Sequence, residues 1–167
     1  MKYADIRETI RSGDIIALSH SSWSTYHDLE VQAVRIGTQS EYSHICVAWV
    51  FANRVFVIEA VNPLVRIIPL SNMKEEGFYW IQSQNEMTNE ELEFAMEKVG
   101  LEGYSKLQAI AAQLNILDIG EDRLWECAEL VIAMRKLSGW DLGNKATPAA
   151  CVKEALRQGY SLKFVEA

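Results

Sequence analysis

The residues predict an α+β chain with a mainly antiparallel sheet packed against helices, and two observations carry that prediction. The first half consists of short runs of branched and aromatic residues separated by turn formers, whereas the second half carries apolar residues at helical spacing. The period changes once, near Ser83, with no repeat, low-complexity tract or Pro/Gly-rich linker between the halves. Segregated strands and helices favour α+β over an alternating parallel architecture. The chain has 167 residues, 49% hydrophobic and 23% charged, which suits one domain spanning 1–167 with a real core.

The predicted strands are "DIIALS" (Asp14 to Ser19), "SHICVAWVF" (Ser43 to Phe51), "RVFVIEAV" (Arg54 to Val61), "VRIIPL" (Val65 to Leu70), "FYWIQS" (Phe78 to Ser83) and a closing "SLKFV". Between the first two, "STYHDLEVQAVRIGTQ" follows helical spacing through Tyr26, Leu29, Ala33 and Ile36 until Gly37 stops it. After Ser83, Thr88 and Glu91 form a capping-box pattern opening "NEELEFAMEKVG", where Leu92, Met96 and Val99 make one apolar stripe. "YSKLQAIAAQLNIL" is a more apolar helix. "RLWECAELVIAMRKL" is the next, and Thr147-Pro148 supplies N-cap and first turn of "PAACVKEALRQ".

A net charge of -7 with scattered basic residues argues against a nucleic-acid partner, since such a surface repels phosphates. "MKYADIRETI" has no long apolar run, so neither a secretory signal nor integral membrane association is expected, and the cytoplasm is the expected compartment. Three cysteines at unrelated spacings, Cys46, Cys127 and Cys151, fit neither a disulfide framework nor a zinc ribbon. His20, His27, His44 and Cys46 follow no usual zinc spacing, so no metal or other cofactor is expected. The serines of "HSSWS" lack nucleophile-elbow glycines, and the glycines are too dispersed to cradle phosphate.

Three residues carry candidate chemistry. His44 sits in "YSHICVAWVF", where alternation puts Tyr42, His44 and Cys46 on one side and Ser43, Ile45, Val47 and Trp49 on the other. A histidine there is either a satisfied core residue or a base. Glu59 is the lone charge inside "VFVIEAV", and a carboxylate in such a strand needs a partner or an outlet to solvent. If Ala52 and Asn53 close a two-residue hairpin, Cys46 lies opposite Glu59 and His44 diagonally across from it on the same face. A loop one residue longer would reverse that parity. Cys127 falls in the first turn of an amphipathic helix whose stripe is Leu130, Val131 and Met134. A thiol at that position is either a buried hydrophobe or a nucleophile whose thiolate gains from unpaired N–H groups and the helix dipole. Glu126 opposes the thiolate unless it points away, and Cys151, among small apolar neighbours, reads as buried.

With these residues in view, the chain resembles the circularly permuted branch of the NlpC/P60 papain-like superfamily, the branch that includes the YiiX-like proteins and is related to lecithin:retinol acyltransferase. The anchors are "SGDIIAL" (Ser12 to Leu18), "YSHICVA" (Tyr42 to Ala48), "VIEAV" (Val57 to Val61), "GYSKLQA" (Gly103 to Ala109), "WECAELV" (Trp125 to Val131) and "ATPAAC" (Ala146 to Cys151), spanning most of the chain. Their order, histidine strand before cysteine helix, is that of the permuted branch. The resemblance implies a circularly permuted papain-like fold and a triad: Cys127 as nucleophile, His44 as general base and Glu59 as the group orienting the imidazole. It also implies Tyr104 as an oxyanion or pocket residue, against a plain packing role at a helix start. Two positions depart from the family: Cys46 stands where Gly is common two residues after the histidine, and Ala128 where Ser is common after the nucleophile.

The resulting expectation is a cysteine hydrolase cleaving an amide through a thioester. The expected partner is a peptide, a peptidoglycan fragment or another acyl-amide substrate. A lipid-directed acyltransferase or amidase, and a catalytically idle papain-like binding module, are the alternatives. Cys46 and Cys127 form a candidate oxidation-prone pair. The residues name neither the exact substrate nor the oligomeric state.

Overall fold

Strands that are apolar at consecutive positions have two faces to bury, and the chain covers both. The computed structural model describes residues 1–19, 42–61, 64–73, 77–100 and 126–166. Six described strands, β1 (Ile15–Leu18), β2 (His44–Phe51), β3 (Arg54–Val61), β4 (Leu64–Pro69), β5 (Phe78–Ile81) and β6 (Leu162–Val165), form one sheet in the order β4-β3-β2-β1-β5-β6. Every neighbouring pair is antiparallel. All six predicted strands are present, their ends moved by a residue or two. The described helices are α1 (Tyr3–Ile6), α2 (Asn89–Lys98), α3 (Cys127–Leu137) and α4 (Pro148–Arg157). The helices expected over 24–39 and 104–117 lie outside the described residues.

Alternation along the strands sorts their side chains into two cores. Ile15, Ala17, Ile45, Val47, Ile58 and Ala60 pack with Ala95 of α2, Leu130, Val131 and Met134 of α3, and Cys151, Val152 and Ala155 of α4. Ile16, Leu18, Cys46, Ala48, Val55 and Val57 pack with Tyr3, Ile10, Leu70 and Phe78 on the other side. The β2–β3 turn has the predicted length of two residues: Phe51 pairs with Arg54, and Ala52 and Asn53 take φ of 49° and 59°, the left-handed values a tight hairpin requires. That turn sets the parity on which His44 and Glu59 depend.

Helix ends follow the predicted signals. Thr88 Oγ1 accepts the Glu91 amide at 3.2 Å, and Glu91 Oε2 accepts the Thr88 amide at 2.7 Å, closing the capping box of α2. Thr147 Oγ1 accepts the Ala150 amide at 3.2 Å, with Pro148 first in α4. The expected stripe of α2 holds at Leu92 and at Val99, just beyond the helix, which are partly buried against the core, but not at Met96, which is exposed, and the fully buried residues of the helix are Glu91 and Ala95. The cause is an ion pair. Glu91 Oε1 takes Arg135 Nη1 of α3 at 2.6 Å, and both side chains are fully buried. Arg135 also donates to Ser83 Oγ at 2.8 Å and to the Asn85 carbonyl at 3.1 Å, and its guanidinium lies over Trp140. Nearby, Asp14 accepts Trp80 Nε1 and the Ser83 and Arg11 amides. Gly13 is needed here, because at its φ of 96° a Cβ would stand 2.7 Å from Arg135 Nη1. This network ties the far end of α3 to the sheet and to α2, and so fixes where Cys127 sits.

Candidate active site

The candidate site lies where the first residue of β2 meets the first residue of α3. Glu59 faces a partner across each of its neighbouring strands: the β2–β3 register carries it opposite Cys46, one step from His44 on the same face, and the β3–β4 register pairs it with Arg66. Its two oxygens are divided between two bases. Oε2 lies 2.7 Å from His44 Nε2, and Oε1 accepts Arg66 Nε at 2.7 Å. Glu59 is 1% exposed, against 17% for His44 and 48% for Arg66, so the carboxylate is sealed while both partners reach towards water. The reading of Glu59 as an edge residue pointing into solvent does not hold.

Charge follows from this arrangement. Burial works against ionising Glu59, but the hydrogen bonds and charges of His44 and Arg66 outweigh it and hold the carboxyl below its usual range. Burial likewise works against charging His44. It is overcome by hydrogen bonding to Cys127 and Glu59 and by the charges of both, which raise the imidazole to about 10. The Cys127 side chain is therefore near enough to act on the ring both as a hydrogen-bond partner and as a charge. As first residue of α3 it is partly buried, and its amide, like those of the rest of the first turn, has no acceptor within the helix.

The other two thiols are placed differently. Cys46 is fully buried, its Sγ 3.6 Å from the Ile16 carbonyl, and burial, then the charges of Glu59 and Cys127, push it well above the ordinary range. Cys151 is fully buried in the helix-side core and is pushed up to about 12 by burial and by the charge of Cys127. Both are held as thiols. Glu126, the N-cap of α3, is 6% exposed, its amide donates to Glu129 Oε2 at 3.2 Å, and its own Oε1 has no partner among the described residues. Burial, then the Glu129 charge, raises it to about 7.

Of the four site residues read from the sequence, His44, Glu59 and Cys127 converge, while Tyr104 lies outside the described residues, as do His20 and His27. Arg66 was not foreseen. Its signal was available: it is the lone charge in "VRIIPL", and a two-residue connection at Asn62-Pro63 would put it opposite Glu59. Among the described residues no group of three or more His, Cys, Asp or Glu side chains is arranged to hold a metal ion. Within the site, His44 and Arg66 each hold one oxygen of Glu59. No described helix is long and apolar enough to cross a membrane.

No family model and no curated protein matches the chain. A solved structure does: the metalloprotein YiiX of Escherichia coli O157:H7 (DUF1105) superposes with a TM-score of 0.55 at 18% identity, covering 90% of this chain and 83% of that one. The α+β architecture seen here is thus a YiiX-like fold.

Proposed function

We propose that the chain is a cysteine hydrolase that cleaves an amide bond, of a peptide or a peptidoglycan stem peptide, through a thioester. The observation that supports it most is the placement of one imidazole between Glu59, at 2.7 Å, and the Cys127 side chain. With Nε2 engaged by Glu59, Nδ1 is left to serve the thiol, and imidazolium next to sulfur favours thiolate. The Cys127 sulfur attacks the carbonyl carbon, and the oxyanion develops beside the Cys127 amide that opens α3. The amine leaves with the proton held by His44. Water then attacks the thioester carbonyl, giving its proton to His44; the C–S bond breaks, the carboxylic acid leaves, and the proton on His44 is shared again with the freed Cys127 sulfur. Tyr104 is the proposed further oxyanion or pocket residue. The scheme runs on Cys127, His44 and Glu59, with the two oxygens of Glu59 held by His44 and Arg66.

Iodoacetamide at pH 7 tests the reading. Cys127 should be alkylated about a hundredfold faster than Cys151, and His44→Ala should remove most of that difference. Slow, equal labelling of both would favour the idle binding module. Thioester capture from a stem peptide, rather than from an acyl lipid, would then separate the amidase from the lipid-directed alternative.

A further inference from the structure

Arg66 has no part in the triad, yet it holds half of it. We propose that Arg66 is a positioning residue, whose guanidinium fixes Glu59 Oε1 so that Oε2 faces His44 throughout the reaction; this rests on the hydrolase reading above. The pairing is built into the backbone, since Glu59 and Arg66 are register partners on β3 and β4. One carboxylate thus spans two bases at 2.7 Å each. Without an anchor at Oε1, rotation about the terminal torsion of Glu59, which is broad, would release Oε2 from the ring.

A second argument comes from proton movement. When His44 hands its proton to the leaving amine, Glu59 loses one of its two cationic partners while remaining 1% exposed. Arginine does not give up a proton in the range where histidine titrates, so Arg66 is the partner that still keeps the carboxylate ionised in that state. Glu59 then orients the ring without taking the proton from it. Arg66 can serve this way because β4 is the outermost described strand on that side, which leaves its guanidinium 48% exposed and its charge hydrated.

The test reads alkylation of Cys127 by iodoacetamide from pH 5 to 10 in folded protein, with melting checked in parallel. Arg66→Gln should slow the reaction about tenfold at pH 7 and shift its pH profile, while Arg66→Lys, which keeps the charge, should stay within about threefold of the parent. In a Glu59→Gln background, Arg66→Gln should add nothing, because its effect passes through that carboxylate. If the glutamine variant does not fold, Arg66→Met, better suited to an apolar strand, takes its place. A parent-like rate and profile for the uncharged variant, or losses that multiply with Glu59→Gln, would overturn the proposal while leaving the hydrolase reading intact. A parent Cys127 no faster than Cys151, with no response to His44→Ala, overturns both.

Discussion

Two buried glutamates, Glu59 and Glu91, each bind an arginine, and they sit at opposite ends of the same assembly of sheet and α3. Around Glu91 the network is sealed: Arg135 and Glu91 are both 0% exposed, Thr88, Ser83, Asn85 and Ser138 share in the hydrogen bonding, and Arg135 Nε alone of the guanidinium nitrogens has no partner among the described residues. Around Glu59 it is open, because Arg66 is half in water and His44 can release its proton. Similar chemistry thus does two jobs. A sealed pair can only hold α3 in place, whereas a pair with a titratable, reachable member can take part in proton transfer.

The sealed pair gives the largest expected effect. Glu91→Ala leaves a guanidinium that cannot deprotonate and cannot reach water, so the variant should lose about 3–5 kcal/mol of stability in denaturant unfolding. The fraction that remains folded should keep the preference of iodoacetamide for Cys127 over Cys151. Loss of that preference at unchanged stability would break the division of labour between the two ends.

Glu59→Gln should show the reverse balance. Its cost in stability should be about 1–2 kcal/mol, since His44 can go neutral and Arg66 can rehydrate, while Cys127 alkylation at pH 7 should fall by about tenfold or more. The pH dependence sharpens the contrast. His44 is raised from 6.5 to about 10 in the folded chain, so the stability its charge contributes is complete below pH 6.5 and is lost as pH rises through about 10. Glu59 is held below its ordinary value, so its contribution is present at neutral pH and is lost as acid protonates it. Urea midpoints measured from pH 3 to 10 should therefore fall at both ends in the parent and flatten in Glu59→Gln. Parallel curves would show that the pair carries no linked charge.

These differences also explain what the residues disclosed. The β2–β3 hairpin was legible because a two-residue turn and strict alternation leave one register, and a lone carboxylate in an apolar strand marked the need for a partner. The start of α3 was legible from Cys127 followed by the stripe Leu130, Val131 and Met134, all three of which are buried. Arg135, on the same helix, was not legible as buried, because its partner Glu91 lies 44 residues away and a charged residue near a helix end reads as solvated. The same pair places Glu91 beside Ala95 as the most buried residues of α2, while Leu92 and Val99 pack as expected and Met96 stays exposed, an arrangement that a count of apolar positions reads only in part. The expected Cys46–Cys127 oxidation couple loses its basis for a local reason: Cys46 is sealed, bonded to the Ile16 carbonyl and held as a thiol.

Glu126 stands between the two kinds of site, being sealed like Glu91 but with no counter-ion among the described residues, and it gives the smallest expected effect. Its carboxyl is raised from 4.5 to about 7, so the folded chain prefers it protonated. No penalty applies below pH 4.5. The penalty grows as pH rises through about 7 and is constant above, which is the opposite course to that of Glu59. Glu126→Gln keeps the shape and removes the charge, so melting should be unchanged at pH 4 and raised at pH 8, by about 1–2 kcal/mol. Loss of a negative charge on the residue preceding Cys127 should also speed Cys127 alkylation at pH 8 by a few fold, with no effect at pH 5. Slower alkylation at pH 8 would mean that the carboxylate assists the thiol. The buried oxygen Oε1, unpartnered among the described residues, would then have to be counted with His44 and Glu59 as part of the reacting site and not as a cost of beginning the helix there.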